Sequence, residues 1–228
     1  MVRTMSWGLC FLAFVLIAVG KEQEGSPCDS ILPSQIEQRV DCVIRTVYPR
    51  VTAGRHGTKV DMGGYGIRRD AARTLLSIAH ESSEARERVF QELIRLLGTP
   101  AIQDGDYSAV WSCACSVLGT LKAAEAIDVL SSNLDKQHGS ITLSLLAYPS
   151  ASALVKIGEK AVPKLKEQLL RTDPRFGVRV LAAQALGDIG GQAAKEALEA
   201  GLTTEDNWFA RKMIEASLLS IEKQRTGK

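Results

Sequence analysis

The sequence predicts an all-α protein: an α-solenoid of about four to five stacked helical hairpins, each too small to bury its apolar face alone. Three observations predict it. From Ile67 onward apolar residues recur at helical spacing, and no stretch alternates convincingly at period two over a strand's length. Glycine and proline punctuate the segments, as at Gly98-Thr99-Pro100, Gly139, Gly158, Asp173-Pro174 and Gly190-Gly191. One helix with its stop signal, Val178 to Gly190, returns in weaker form at four other places. Composition agrees, because alanine and leucine are plentiful while β-branched runs are scarce.

Residues 1–20 stand apart from that fold. Met1 to Gly8 carries a lone Arg3, and Leu9 to Val19 is an apolar run without a charge. Ala18-Val19-Gly20 offers small residues where a signal peptidase reads, and Lys21-Glu22-Gln23-Glu24 is abruptly polar. That order matches a secretory signal peptide cleaved after Gly20, which places the mature chain in a secreted or periplasmic setting. The run is shorter than the ~20 residues that span a bilayer comfortably. An uncleaved anchor is the alternative, and membrane attachment is expected only in that case. A lipidated cysteine would follow the apolar run, whereas Cys10 lies at its start.

Export changes how the cysteines read. Losing Cys10 leaves Cys28, Cys42, Cys113 and Cys115, an even set in an oxidising compartment. A Cys28–Cys42 bridge would close a small loop at the start of the mature chain, worth on the order of 3 kcal/mol in the loop-entropy model. Cys113 and Cys115 sit two apart in a helical pattern, pointing roughly 200° apart around the axis. They do not bond each other easily and read as small buried side chains.

Residues 21–66 form a lead-in with one helix and a glycine-rich loop. The helix runs from Gln35 to Val47, with Ser34 as its cap, Ile36, Val40, Val43, Ile44 and Val47 on one face, and Pro49 ending it. Arg50 to Gly66 carries Gly54, Gly57, Gly63, Gly64 and Gly66 and reads as a linker. A phosphate-cradling loop would need Lys-Ser or Lys-Thr after a strand, and Lys59 is followed by Val60. Residues 67–228 form the repeat domain. Its helices are expected at Ile67 to Ala79, Ala85 to Leu97, Ala109 to Leu121, Ala123 to Leu134 and Ile141 to Ile157, the last kinked or restarted by Pro149. Val162 to Leu170, Val178 to Ile189, Ala193 to Gly201 and Phe209 to Lys223 complete the set.

The repeat is anchored on Leu186 and Ile189. The pair recurs as Leu75 and Ile78, Leu118 and Leu121, Leu154 and Ile157, and Leu218 and Ile221. Leu118 to Leu154 spans 36 residues, and the next two intervals are both 32. The longer step from Leu75 to Leu118 points to an insertion around Thr99 to Tyr107. Three residues before the anchor stand Ala72, Cys115, Ala151 and Ala183, all small, with Glu215 departing in the last copy. Arg68, Arg179 and Arg211 share one repeat position, which implies a structural role between repeats. Small residues one turn before the leucine let neighbouring helices approach closely.

Val178-Arg179, Ala182-Ala183, Ala185-Leu186-Gly187 and Ile189-Gly190, followed by an alanine-rich helix, resemble HEAT repeats, most closely the short HEAT-like form also found in phycobilisome lyases. The resemblance covers roughly Ile67 to Lys223 and weakens toward the N-terminus. It departs at Trp111, which replaces the arginine, and at Pro149 within a helix. It implies a curved, armadillo-type superhelix that binds other proteins along a helical surface, and no catalytic residue by itself.

The residues offer little chemistry. A His-Glu metal enzyme on this scaffold needs several such pairs, and His80-Glu81 is the only one; His56 and His138 each precede a glycine. His80 reads as a helix-end residue suited to the carbonyl end of the dipole. A lyase-like reading rests on the repeat type alone and conflicts with export. Cys113 is the thiol to test for reactivity, without a base among its neighbours. Glu81 and Glu84 read as a solvated helix start. Lys156, Lys160, Lys164 and Lys166 form the most basic cluster, diluted by Glu159 and Glu167. Trp208 and Phe209 are expected to pack the terminal repeat, with an exposed contact patch as the alternative. A net charge of +2 and aromatics of 5% argue against nucleic acid as a partner. The expectation is an exported, non-catalytic interaction or scaffold module with a protein partner and no cofactor. An enzyme or metal-binding variant on the same scaffold is the alternative.

Overall fold

The computed structural model describes residues 28, 30–32, 34–47, 50–54, 57–61, 65–98, 108–136, 145–171 and 176–227. The expected signal peptide, the expected insertion around Thr99 to Tyr107 and the helix start at Ile141 lie outside them, as do His56 and His138. Helix α1 spans Ile36–Val47, close to expectation, and packs on α2 (Tyr65–Glu81) and α3 (Ser83–Leu97). Cys28 is bonded to Cys42 on α1, with Cα atoms 5.8 Å apart.

The glycine-rich linker needs correction. It contains an antiparallel hairpin of β1 (Arg50–Gly54) and β2 (Gly57–Asp61), in which Val51 faces Val60 and Thr52 faces Lys59. Glycines at 54 and 57 close the turn rather than loosen the segment, and the β-branched Val51, Thr52, Thr58 and Val60 carry the strands. Lys59 therefore lies within a strand, not in a loop after one.

Beyond the hairpin the chain alternates between a first (A) and a second (B) helix. The A helices are α2, α4 (Ser108–Thr120), α6 (Pro149–Ile157), α8 (Phe176–Ile189) and α10 (Trp208–Thr226). The B helices are α3, α5 (Ile127–Ser132), α7 (Val162–Leu169) and α9 (Gly191–Thr204). Each A helix packs on the next, α5 packs on α7 and α7 on α9, so two helical layers run through the stack. This is the all-α solenoid that the repeat predicts. Two expected helices are shorter than the pattern suggested. The segment from Ala123 begins as a 3-10 turn at Ala124–Ala126 before α5, and Pro149 sits in the first turn of α6, a restart rather than a kink.

The anchor leucines Leu75, Leu118, Leu154 and Leu186 are all buried, and so are Cys115, Ala151 and Ala183 one turn before three of them. Small residues work as expected at the A–A contacts. A Cβ at Gly119 would lie 2.8 Å from the Cα of Ala153, and one at Gly187 would lie 2.8 Å from the Cβ of Ser217. Gly119 and Gly187 directly follow an anchor leucine; Ala153 and Ser217 directly precede the next one. The same pair of repeat positions thus meets at two interfaces of the stack.

The A-to-B turn has a second rule. Four residues after the anchor stand Lys122, Gly158 and Gly190, with φ of 53°, 83° and 71°. The chain must enter positive φ there to reverse into the next helix, a conformation glycine takes freely and a side chain resists. Lys122 is the one non-glycine residue among the described residues that does so.

Candidate functional site

The A helices carry a groove built from equivalent positions of three consecutive repeats. On α6, α8 and α10, residues two before and two after the anchor are i, i+4 pairs and share one face: Ser152 and Lys156, Gln184 and Asp188, Ala216 and Ser220. All six line a depression of about 540 Å³, whose floor includes Val155, Gly187 and Ser217. Its depth follows from packing. Gly187 and Ser217 bring α8 and α10 together, while Val155 stands at the glycine's repeat position on α6.

The electrostatics of this face are mixed. Lys156 and Asp188 are exposed, occupy the same repeat position on adjacent helices, and make no ion pair among the described residues. Ser152 donates to the Leu145 carbonyl at 2.7 Å, which ties the start of the A helix to the 3-10 turn at Leu145–Ala147. Gln184 is half-buried, and its Oε1 is the one buried side-chain oxygen or nitrogen among the described residues without a hydrogen-bond partner. An unmet buried acceptor costs about 1–3 kcal/mol.

The arginines of the repeat do structural work. Arg179 on α8 donates through Nε to Glu205 Oε2 at 2.7 Å, and through Nη2 to Oε1 at 3.3 Å. Arg211 on α10 donates to the carbonyls of Leu202 at 2.9 Å and Glu205 at 3.4 Å, closing the carboxyl end of α9. Both therefore grip the turn between α9 and α10. Burial alone pushes the Glu205 carboxyl up, but hydrogen bonds from Arg179 and from the Asn207 and Asp206 N–H groups outweigh it and hold the group below its usual range. At the same repeat position Trp111 is buried and donates from its indole N–H to Ser150 Oγ at 3.0 Å, with the Lys136 ammonium 4.4 Å from its ring centroid. The side chain of Arg68 lies outside the described residues.

The other residues singled out in the sequence fall apart as a site. His80 is exposed in the last turn of α2, as expected of a helix-end residue. Glu81 is not at a solvated helix start. It closes α2, receives two hydrogen bonds from Arg39 on α1 at 2.6 and 2.8 Å, and its carboxyl is lowered chiefly by them. Cys113 and Cys115 are buried and take part in no disulfide, and burial pushes the Cys115 thiol up to about 12. Of the lysine cluster, Lys164 is tied to Glu167 at 2.8 Å and Asp128 at 3.3 Å. Trp208 overturns the expectation of packing: it is 73% exposed, edge-on to Phe209 at the start of α10. No group of three metal-binding side chains occurs among the described residues.

Sequence reasoning missed the groove because its polar residues each read alone as a position on a solvated helix face, and its small and apolar ones as helix packing. The signal was present in the register: the same two offsets from the anchor, on three helices in succession. No curated protein matches the chain. The family model for HEAT repeats matches residues 145–218, a stretch that holds α6 to α9 and most of α10. The match covers about a third of the chain, and over that stretch the stacked helical hairpins are similar to HEAT repeats.

Proposed function

We propose that the chain is an exported, non-catalytic interaction module that holds a partner protein on its stacked helices. One observation carries this reading: three successive repeats present equivalent helix positions along one continuous groove of mixed polar and apolar lining. HEAT repeats commonly mediate protein–protein interaction, and the apolar run and polar switch of residues 1–24 support export. Among the described residues no helix is long and apolar enough to cross a membrane.

The test has two arms. N-terminal sequencing of the protein recovered from the producing cell is expected to find a mature chain beginning at Lys21; a retained Met1 in the cytoplasm contradicts export. Pull-down from the secreted or periplasmic fraction is expected to recover a partner. Recovery of none across conditions, together with turnover of a small molecule by the pure protein, contradicts the module reading. The metal-enzyme alternative rests on His80-Glu81, whose carboxylate is engaged with Arg39. Elemental analysis of protein purified without chelator tests it.

A further inference from the structure

We propose that a second copy of this chain docks on the outer stripe of α10, the two helices lying antiparallel about a two-fold axis between Met213 and Ile214. The inference goes beyond the interaction-module reading and does not depend on it, since the occupant is the chain itself.

Its starting point is apolar surface left over on one helix. Among the described residues four large apolar side chains are exposed, and two of them, Trp208 at 73% and Leu219 at 56%, lie on α10. Between them on the helix stand Lys212 and Glu215, paired at 2.7 Å and themselves exposed. The four residues follow one another at steps of four, three and four. At about 100° per residue those steps hold them within an arc of about 60°, a single stripe about 16 Å long. The stripe points away from the core, because the buried residues of the same helix are Ala210, Ile214, Ser217 and Ile221.

The order of the residues selects the occupant. Trp208 and Leu219 are centred between Met213 and Ile214, and so are Lys212 and Glu215. A two-fold interface sets residue i against j and j against i. Turned about the shared centre, Trp208 meets Leu219 of the second copy and Lys212 meets its Glu215, twice over. The stripe is thus complementary to itself in apolar contact and in charge. A parallel arrangement would set Lys212 on Lys212 and Glu215 on Glu215, so like-charge repulsion leaves the antiparallel one. Steps of three and four are also those by which two helices pack along their length at a small crossing angle.

Trp208 is the expected anchor at each end, since tryptophans that become buried carry much of the binding at interfaces. Phe209 lies edge-on to its ring, with centroids 5.7 Å apart. A single helix pair is a small interface, below the roughly 1,000 Å² of a tight complex, so the expected Kd is on the order of 100 µM.

Sedimentation equilibrium of the purified chain between about 10 µM and 1 mM is expected to show a monomer–dimer equilibrium of that strength. Trp208→Ser, K212E and E215K are each expected to weaken it at least about tenfold, because a two-fold interface suffers every change twice. Their melting temperatures are expected to stay within about 2 °C of wild type, as the replaced side chains are exposed. Two rescues separate this pairing from unspecific association. K212E/E215K is expected to regain wild-type dimerisation. At about 100 µM an equal mixture of K212E and E215K is expected to form a mixed dimer, although each alone is mostly monomeric. A monomer throughout the range leaves the stripe to another occupant and overturns the proposal. So does failure of either rescue, or association that survives all three single changes, as assembly through the apolar run of residues 9–19 would. None of these results bears on partner capture, so the module reading stands or falls separately.

Discussion

Alanine at position 187 would place its Cβ 2.8 Å from the Cβ of Ser217 and 3.0 Å from that residue's Cα and Oγ. Two of these three atoms belong to the backbone or its first carbon, so no flexible side-chain end can swing away; α8 and α10 must separate. Overpacking of this kind costs about 1–3 kcal/mol. Alanine in place of glycine inside a helix returns roughly 0.5–1 kcal/mol of conformational entropy. The net expectation for Gly187→Ala is a loss of about 1 kcal/mol, or a melting temperature lower by about 2–4 °C for a domain of this size. Gly177→Ala in the same helix is the control, because nothing lies within 4 Å of its Cβ position. It is expected to be neutral or slightly stabilising. Adding Ser217→Gly to Gly187→Ala removes the Cβ and Oγ contacts and is expected to recover part of the loss, read as a coupling in a double-mutant cycle by urea denaturation. Equal or greater stability of Gly187→Ala, without coupling to position 217, would refute the close A–A contact.

Other expectations follow from the same structure. Lys122→Gly is expected to stabilise by about 0.5–1 kcal/mol in thermal denaturation, since it relieves positive φ at the repeat turn; destabilisation would mean that the turn is not equivalent to those at Gly158 and Gly190. The Glu205 carboxyl is lowered in the folded chain, so its contribution is present above the unfolded carboxyl value of about 4.3 and is lost as pH falls through the folded value. Urea titrations from pH 7 down to pH 3 are expected to show the wild type losing more stability than Glu205→Gln relative to each protein's own value at pH 7. Cys113 and Cys115 are expected to resist a thiol reagent at pH 8 until denaturant is added, because both are buried and the Cys115 thiol is pushed up to about 12. Labelling of the native protein at the unfolded rate would contradict their placement.

The repeat was legible because it lies in residues whose role is packing. Leu118, Leu154 and Leu186 repeat at near-constant spacing, and each must fill the same gap between helices, so burial and periodicity coincide. Arg179 was read correctly as a repeat residue, although its partner Glu205, 26 residues away, has no local signal. The hairpin at Arg50 to Asp61 was hidden because its glycines count toward a loop while its short strands share the β-branched residues. Trp208 misled for the opposite reason: a large aromatic at a helix start promises burial, yet it stands exposed as the first residue of α10. The groove depends on how far apart two neighbouring helices stand at Val155 and Gly187, a tertiary quantity that no single helix pattern encodes.

The central claim is that stability resides in interfaces between neighbouring repeats, and native-state amide hydrogen exchange on wild type and Gly187→Ala tests it most directly. The stack predicts that the substitution lowers protection in α8, α10 and the adjoining α6 and α9, while α2 and α3 keep theirs. An equal loss of protection throughout the chain would contradict it, because that is the response of one undivided core.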